Sequence, residues 1–329
     1  MSLFPFPKKN NCYLSLNFTF TSNVKKMQQI NTVTVIGSGT MGNGICHVFA
    51  QTGFDVHMMD INQGALDKAV ATIGKNMDRQ VAKGTLTEEA KQQSIGRIKT
   101  FTDMAEAVKN ADLVIEAATE NIDLKLNIFR QLDQHCPEHC ILATNTSSIS
   151  ITRIASVTKR AGKVIGMHFM NPVPVMKLIE VINGYATDEP VTKAIYELSQ
   201  KLGKVPCVAN DYPGFVANRI LMPMINEAII SLQEGVAGVA EIDTIMKLGM
   251  AHPMGALQLA DFIGLDTCLS IMNVLYNGFG NPKYAPATLL VNMVQAGYLG
   301  AKSGEGFYKY TAGSKDLVVS KRFATMEWS

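Results

Sequence analysis

The chain has 329 residues, more than one ordinary domain, and its 30 Lys and Arg against 28 Asp and Glu give a formal net charge of +2. This balance excludes a strongly basic nucleic-acid-binding protein, and no apolar run approaches the roughly 20 residues that a membrane helix needs. With 47% hydrophobic and 18% charged residues, the chain can form a sizeable core. We therefore predict a two-domain globular protein without a nucleic-acid or membrane partner.

Residues 1–26 precede the first regular pattern and contain no Asp, Glu or Arg. Their positive charge is entirely lysine, whereas mitochondrial transit peptides are rich in arginine. We therefore predict a disordered extension, or an upstream start codon before Met27, and a cytoplasmic protein. A transit peptide and the mitochondrial matrix remain the alternative. The six cysteines are too few for a disulfide scaffold in so long a chain, and they indicate free thiols.

The first regular pattern is a β-branched run, Val-Thr-Val-Ile, followed by a glycine-rich turn and a helical stretch. In such a βαβ context the three glycines have separate uses. Gly37 allows the tight turn, Gly39 lets the backbone approach a pyrophosphate, and Gly42 lets the helix pack closely on the strand. The helix N-terminus, with Thr40 and Met41, offers unpaired N–H groups and a positive dipole end to phosphates. The pattern predicts a dinucleotide site.

The second strand of this unit, 55–59, ends at Asp60. A carboxylate at this position accepts hydrogen bonds from both ribose hydroxyls and repels a 2′-phosphate. Because no arginine lies nearby in the sequence to favour a 2′-phosphate, we predict NAD as the cofactor. The alternative, a strand–helix turn without a ligand, is disfavoured by the complete order of strand, turn, helix and acid-ended strand.

A helical hairpin follows Asp60, where one crossover helix would suffice. Its first helix is predicted over 64–83, and its second begins after Thr87, which we expect to cap it. The hairpin carries lysines that form either an ordinary solvated face or an anion clamp for a phosphorylated substrate tail: Lys68, Lys75 and Lys83. The residues alone favour the solvated face.

Strands continue to alternate with helical stretches, at 111–118, 141–144, 163–167 and 176–182. This order predicts an α/β fold, a Rossmann-type doubly wound sheet with a helical hairpin insertion, over 27–209. Polar residues collect around the ends of these strands, where such a sheet places its chemistry: Glu120, Asn145, Ser147, His168 and Glu180.

The segment 135–140 reads His-Cys-Pro-Glu-His-Cys and superficially resembles a set of metal ligands. Its spacing fits neither paired CxxC motifs nor HExxH. It also precedes a strand, so we expect it at the amino end of the sheet, opposite the predicted cofactor edge. We therefore predict no metal site.

The pattern changes near residue 210, where strands stop and helical stretches begin at 215–234, 241–248, 256–276 and 287–296. This predicts an all-helical second domain over 210–310 for substrate binding and dimerisation. Its broad apolar faces exceed what one small core needs and suit a homodimer interface. Residues 311–329 form a polar tail to which the sequence assigns no role.

Four motifs in this order resemble the L-3-hydroxyacyl-CoA dehydrogenases: GSGTMG, ATNTSS, GMHFMNPVPVMKLIEVI and DYPGFVANRILMP. The resemblance extends over roughly 27–310 and is greatest to the short, single-function members. It implies an NAD-dependent oxidation of a 3-hydroxyacyl thioester, with an acyl-CoA as the partner molecule.

The resemblance also implies roles for single residues. His168 matches the catalytic base, Glu180 the acid that pairs with it, and Ser147 the group that hydrogen-bonds the substrate oxygen. Asn218 matches a polar residue that the second domain contributes, and Lys83 matches a lysine that meets the CoA phosphates. The remaining matches are to positions at the cofactor ribose and nicotinamide: Glu120, Lys125 and Asn145. Where some relatives have a serine in the hairpin, this chain has asparagine at position 76.

Two alternatives remain open from the sequence. One is the 3-hydroxyisobutyrate and 6-phosphogluconate dehydrogenase group, which shares the glycine loop and helical second domain but uses a catalytic lysine. The His-Phe-Met-Asn-Pro motif with Glu180 argues against it. The other is a non-catalytic NAD-binding relative, which the intact set of Ser147, His168, Glu180 and Asn218 argues against. No GxSxG elbow surrounds either serine of Asn-Thr-Ser-Ser, so a serine hydrolase is disfavoured.

Overall fold

A computed structural model describes residues 30–311, 313–314 and 316–323. The predictions for residues 1–26 lie outside the described residues. The first part of the chain contains, in order, β1 (Thr32–Ile36), α1 (Thr40–Gln51), β2 (Asp55–Met59), α2 (Gln63–Ala82), α3 (Glu88–Gly96), β3 (Ile98–Phe101), α4 (Met104–Val108), β4 (Leu113–Glu116), α5 (Ile122–His135), β5 (Ile141–Thr144), α6 (Ile151–Ala155), β6 (Val164–Phe169), β7 (Leu178–Asn183), α7 (Glu189–Lys201) and β8 (Val205–Asn210).

The strands form one sheet in the order β3-β2-β1-β4-β5-β6-β7-β8. All neighbours pair in parallel except β6 and β7, which are antiparallel. The chain order reverses between β1 and β4, which opens the crevice at the carboxyl edge where doubly wound sheets bind ligands. The structure confirms the predicted fold class, including the α2–α3 hairpin after β2. The edge strands β3 and β8 were not predicted.

Both faces of the sheet are covered, which explains why the central strands read as continuous apolar runs. On one face α1, α2 and α7 pack through fully buried side chains such as Phe49, Ile73 and Ile195. On the other face α5 and α6 pack through Phe129 and Ile154. The sheet therefore holds its loops at the carboxyl edge on a rigid base.

Local capping explains where the hairpin begins. Thr87 caps α3 as predicted, because its side chain accepts from the backbone N–H of Ala90 at 3.1 Å. Asn62 does the same for α2 by accepting from Ala65 at 3.1 Å. These caps set the hairpin immediately beyond Asp60, beside the crevice.

The second part of the chain has its own apolar core. It contains α8 (Ala217–Gln233), α9 (Val239–Thr244), which runs into a π-helical turn (Ile245–Gly249), then α10 (Ala256–Ile263), α11 (Leu265–Phe279), α12 (Thr288–Gln295), β9 (Tyr308–Lys309) and β10 (Val318–Val319). Residues 211–216 join it to the sheet. The strands β9 and β10 pair antiparallel, so part of the segment predicted only as a polar tail folds onto this helical part.

The single helix predicted over 256–276 was wrong. The chain breaks at Gly264, whose φ of +97° is strained for any residue with a Cβ, and the axes of α10 and α11 differ by 97°. Within the described part of the chain, no single helix is long and apolar enough to cross a membrane. The α10–α11 pair meets those criteria only when its two bent halves are taken together.

The break at Gly264 gives a stability prediction. A Cβ at this position would have positive φ and would lie 3.1 Å from atoms of Asp266 and Lys302, so Gly264→Ala should lower the free energy of unfolding by about 1–3 kcal/mol. Gly74→Ala is the matched control. It lies inside α2 with nothing closer than 4.0 Å to the new methyl group and should raise stability by about 0.5–1 kcal/mol. Urea denaturation measures both, and equal effects would contradict the assignment of the bend to Gly264.

Candidate active site

A cleft of about 1190 Å³ lies along the carboxyl edge of the sheet. Its walls are the glycine-rich turn after β1, the ends of β2 and β4, one face of α5, the part of α2 from Ala65 to Asn76 and the loop after β6. Among the predicted site residues it is lined by Gly37, Gly39, Thr40 and Asp60.

The glycine turn has the shape that a dinucleotide requires. Gly37 has a φ of +98°, and a Cβ on Gly42 would lie 1.8 Å from the Gly37 oxygen, so both must be glycine. Nothing lies within 4 Å of a Cβ built on Gly39, which leaves the backbone open to the cleft. No side chain caps α1, so its first N–H groups are available to a pyrophosphate. The Met41 side chain packs against the core and only its backbone belongs to this cradle.

Asp60 stands at the end of β2 and is already held in place. Its Oδ2 accepts from the Ser38 N–H at 2.9 Å and from the Ser38 hydroxyl at 2.7 Å. Partial burial opposes ionisation, but these bonds and further backbone N–H groups hold the pKa of Asp60 below its usual value. Sequence reasoning did not identify Ser38, because a serine inside a glycine turn carries no signal of a side-chain partner.

His168 and Glu180 face each other because β6 and β7 are antiparallel and these two residues are register partners. Nδ1 of His168 lies 2.8 Å from Oε2 of Glu180, and both side chains are buried. Burial opposes ionisation of Glu180, but hydrogen bonds from His168 and from backbone amides hold its pKa below its usual value. Since an ionised carboxylate only accepts, Nδ1 carries the proton and Nε2 of neutral His168 is left as a base.

The other oxygen of Glu180 reaches the second part of the chain. Oε1 accepts from the N–H groups of Val216 at 3.3 Å and Ala217 at 3.1 Å, at the start of α8. The Phe215 ring packs beside His168 with 6.2 Å between ring centroids, and Phe215 has a φ of +50°. This strained residue was not predicted as part of the site. Glu180 thus joins His168 to the first turn of the helical part.

Ser147 and Asn218, both proposed from the resemblance, lie together, and each already has a protein partner. Asn218 Nδ2 donates to the Ser147 carbonyl at 3.0 Å. The Ser147 hydroxyl donates to Oε1 of Glu120 at 3.0 Å, and the Ser147 N–H donates to the same oxygen at 2.7 Å. Asn145 accepts from the Phe169 N–H at 2.9 Å, which ties the loop after β5 to the strand of His168.

The Lys125 side chain is engaged inside the protein. Its ammonium forms an ion pair with Glu116 and lies 3.4 Å from the Thr144 hydroxyl, and the residue is only 1% exposed. It lies beneath the edge of the sheet and does not line the cleft. Glu116 was not predicted, since a carboxylate at the end of an apolar strand gives no sign of a buried partner.

Lys83 also lies apart from the cleft, as an exposed residue at the end of α2. The hairpin residues that do line the cleft include Lys68, Thr72 and Asn76. These belong to the first half and middle of α2, closer to Asp60. A helix rises about 1.5 Å per residue, so Lys83 is roughly 10 Å farther along the axis than Asn76.

The expectation that segment 135–140 lies wholly opposite the cleft was wrong for its first residue. One face of α5 is directed toward the cleft, and His135, the last residue of α5, is among the residues that line it. Cys136 and Cys140 are buried, and His139 pairs with Asp112 at 3.1 Å. Over the ranges that the structure describes, no three His, Cys, Asp or Glu side chains are grouped so as to hold a metal ion.

Comparison with known proteins assigns both parts of this architecture. Residues 32–212 match the NAD binding domain of 3-hydroxyacyl-CoA dehydrogenase, and residues 214–310 match its C-terminal domain. The chain belongs to the 3-hydroxyacyl-CoA dehydrogenase family. It is therefore an NAD-dependent oxidoreductase, and the resemblance found in the sequence motifs is confirmed.

Individual members of the 3-hydroxyacyl-CoA dehydrogenase family match over most of their length. 3-Hydroxybutyryl-CoA dehydrogenase of Bradyrhizobium diazoefficiens is 52% identical over 281 residues, 85% of this chain and 96% of that protein. Human mitochondrial hydroxyacyl-coenzyme A dehydrogenase is 41% identical over 304 residues, 90% of this chain and 96% of that protein. The crystal structure of (S)-3-hydroxybutyryl-CoA dehydrogenase from Ralstonia eutropha matches with a TM-score of 0.84 at 53% identity, over 86% of this chain and all of that one. The 3-hydroxyisobutyrate-type alternative is not favoured.

The two contacts of Glu180 predict a large effect of Glu180→Gln. The glutamine has one oxygen for two sets of donors and does not stabilise an imidazolium, so kcat should fall by about 10²- to 10⁴-fold. Glu197→Gln, an exposed change on α7, should leave kcat unchanged. Steady-state kinetics tests both, and a near-parental kcat for Glu180→Gln would contradict the role.

The same substitution predicts a change in acid stability. Because the pKa of Glu180 is lowered in the folded protein, its carboxylate contributes stability above its unfolded pKa, and this contribution is lost as pH falls through the folded value. Unfolding free energies of Glu180→Gln should lack that part of the acid dependence.

Proposed function

We propose that the protein interconverts (S)-3-hydroxybutyryl-CoA and acetoacetyl-CoA with NAD, and that it prefers short acyl chains. The observation that carries the proposal is the buried His168–Glu180 pair near the carboxyl end of β6, which shares its sheet edge with the glycine turn after β1 because the strands between them are parallel. Close relatives that cover nearly the same length are named for 3-hydroxybutyryl-CoA.

Different residues of the chain carry out different steps of the proposed reaction. Bound NAD supplies the acceptor for the hydride that leaves C3 of the alcohol. Nε2 of His168 takes the hydroxyl proton as the C3 carbonyl forms, and the Glu180 carboxylate stabilises the resulting imidazolium. In reduction His168 returns the same proton. Ser147 and Asn218 are proposed to hold the substrate oxygen, which requires the Ser147 hydroxyl to turn from Glu120 toward the substrate.

An assay of NADH oxidation with acetoacetyl-CoA tests the proposal directly. The parent protein should turn over, and His168→Gln should reduce kcat by about 10²- to 10⁴-fold with little change in NADH affinity. Turnover of 3-hydroxyisobutyrate with none of acetoacetyl-CoA would overturn the proposal. Absence of both activities with intact NADH binding would indicate a non-catalytic relative.

The cofactor contacts are proposed from the placement of single residues. The glycine turn and Thr40 receive the pyrophosphate, Asp60 the adenosine ribose, and the loops with Glu120 and Asn145 the nicotinamide end. To reach the cofactor, the Lys125 ammonium has to leave Glu116.

Asp60 gives a prediction on cofactor choice. Its ionised carboxylate should make kcat/KM for NADH much greater than for NADPH, and Asp60→Ala should reduce that preference. Asp67→Ala, an exposed change on α2, is the control and should leave the ratio unchanged. Equal kcat/KM for the two cofactors in the parent protein would refute this use of Asp60.

Lys83 gives a prediction on the CoA tail. If it pairs with a CoA phosphate, Lys83→Ala should raise the KM for acetoacetyl-CoA several-fold, since a charge-assisted contact contributes about 1.5–3 kcal/mol at most and less when solvent screens it. The KM for NADH and for a thioester truncated at pantetheine should not change.

Lys68→Ala and Lys75→Ala provide the comparison for Lys83, since Lys68 lines the cleft and Lys75 is exposed outside it. If Lys83→Ala treats full-length and truncated thioesters as the parent does, Lys83 is a solvated lysine. An effect confined to Lys68→Ala would then assign the phosphate contact to Lys68, which lies nearer to Asp60 on α2.

We also propose a homodimer formed through the helical part. Several of its large apolar side chains are exposed, among them Ile220 at 67% and Leu248 at 83%. Light scattering tests this, and a monomer at micromolar concentration would oppose it.

We propose a cytoplasmic location because the five described cysteines are free thiols. Fractionation of the source cells tests that.

A further inference from the structure

The loop between β6 and β7 forms one wall of the cleft, directly after the strand that carries His168. Its residues at 171–174 line the same cleft as Thr72 and Asn76 of α2 and the glycine turn. A ligand that occupies this cleft therefore contacts the loop.

The 171–176 loop has little regular structure of its own. The N–H groups of Val175 and Met176 both donate to the Pro172 carbonyl, which closes one tight turn. Val173 is buried against α1, where a Cβ on Gly44 would lie 2.9 Å from the Val173 Cβ. These contacts seat the loop on α1 but leave the Val173 and Met176 carbonyls to be satisfied.

The Lys204 side chain satisfies these two carbonyls and anchors the loop. Gly203, with a φ of +72°, ends the turn after α7, and the Lys204 side chain then runs under the loop. Its ammonium donates to the Val173 carbonyl at 2.5 Å and to the Met176 carbonyl at 2.7 Å. Lys204 is 8% exposed, and among the described residues no carboxylate lies within ion-pair distance.

A buried ammonium without a carboxylate is costly for stability, and burial lowers the pKa of Lys204. An apolar side chain of similar length would fill the same space at lower cost, but it would leave two carbonyls without donors. Both hydrogen bonds of the ammonium go to the 171–176 loop. The geometry therefore points to a role of Lys204 in fixing the conformation of this loop, and not in filling space in the core.

We propose that Lys204 is a positioning residue for the acyl-CoA side of the cleft: its ammonium holds the 171–176 loop in the conformation that receives the substrate. This rests on the proposed function for the identity of the ligand. It predicts that loss of the ammonium acts mainly on the KM for acetoacetyl-CoA and on kcat, and less on NADH binding at the glycine turn.

Three variants separate positioning from general stability. Lys204→Met keeps the length of the side chain and removes both donors, and Lys204→Arg keeps a charged donor. Lys177→Met changes an exposed lysine at the end of the same loop and is the matched control. Should Lys204→Met not fold, Lys204→Gln is measured in its place.

Kinetics with acetoacetyl-CoA and NADH, well below the unfolding temperature, give the main readout. Lys204→Met should raise the KM for acetoacetyl-CoA or lower kcat by about 10- to 100-fold in kcat/KM, with a much smaller change in NADH affinity. Lys204→Arg should restore part of the loss, and Lys177→Met should match the parent. A Lys204→Met protein with a lowered Tm but parental kinetic constants would overturn the proposal.

Hydrogen exchange of the 171–176 amides keeps the test independent of substrate identity. Exchange at Val175 and Met176 should accelerate in Lys204→Met more than in Lys177→Met, because the turn loses its anchor. If the parent does not turn over acetoacetyl-CoA, the proposed function fails while this measurement still tests the anchor. Unchanged exchange in Lys204→Met would reject Lys204 as the anchor.

Discussion

The structure depends on one buried carboxylate that serves two partners. Glu180 accepts from His168 with one oxygen and from the first N–H groups of α8 with the other. The first contact fixes the tautomer of His168, and the second holds the start of the helical part against the sheet. Because both contacts share one side chain, the arrangement of the base and the docking of the second part are physically coupled. The strained Phe215 beside His168 lies in the same junction.

Other carboxylates at the carboxyl edge of the sheet also bridge neighbouring segments. Asp60 joins the end of β2 to the glycine turn through Ser38, and Glu120 joins the loop after β4 to Ser147. Glu116 joins β4 to Thr144 and accepts from the Ala118 N–H at 3.0 Å. Loops at a sheet edge are otherwise free to move, so these bonds pre-organise the cleft before a ligand arrives. The Lys204 anchor would extend the same principle to the loop after β6.

The fold and the cofactor turn could be predicted from the sequence because they follow local rules, whereas the roles of His168, Glu180, Ser147 and Asn218 came from the family resemblance. The glycine turn, the Asp-ended second strand and the Thr87 cap are short-range signals with one physical meaning each. The pairing of His168 with Glu180 depends on antiparallel register across a loop, which no single segment specifies. The bend at Gly264 was missed because a glycine within a long apolar stretch reads as a tolerated helix residue. The roles of Lys125 and Lys83 came from the resemblance alone, and neither residue is among those that line the cleft.

The central claim is that ionised Glu180 keeps the proton of neutral His168 on Nδ1 and leaves Nε2 as the base. Nitrogen-15 NMR of the histidine-labelled protein, at a pH where His168 is neutral, measures this tautomer directly. The account predicts a protonated Nδ1 and a bare Nε2 in the parent, and a loss of this preference in Glu180→Gln. A neutral His168 protonated at Nε2 in the parent would contradict it, because the nitrogen facing away from Glu180 would then have no lone pair to accept the substrate proton.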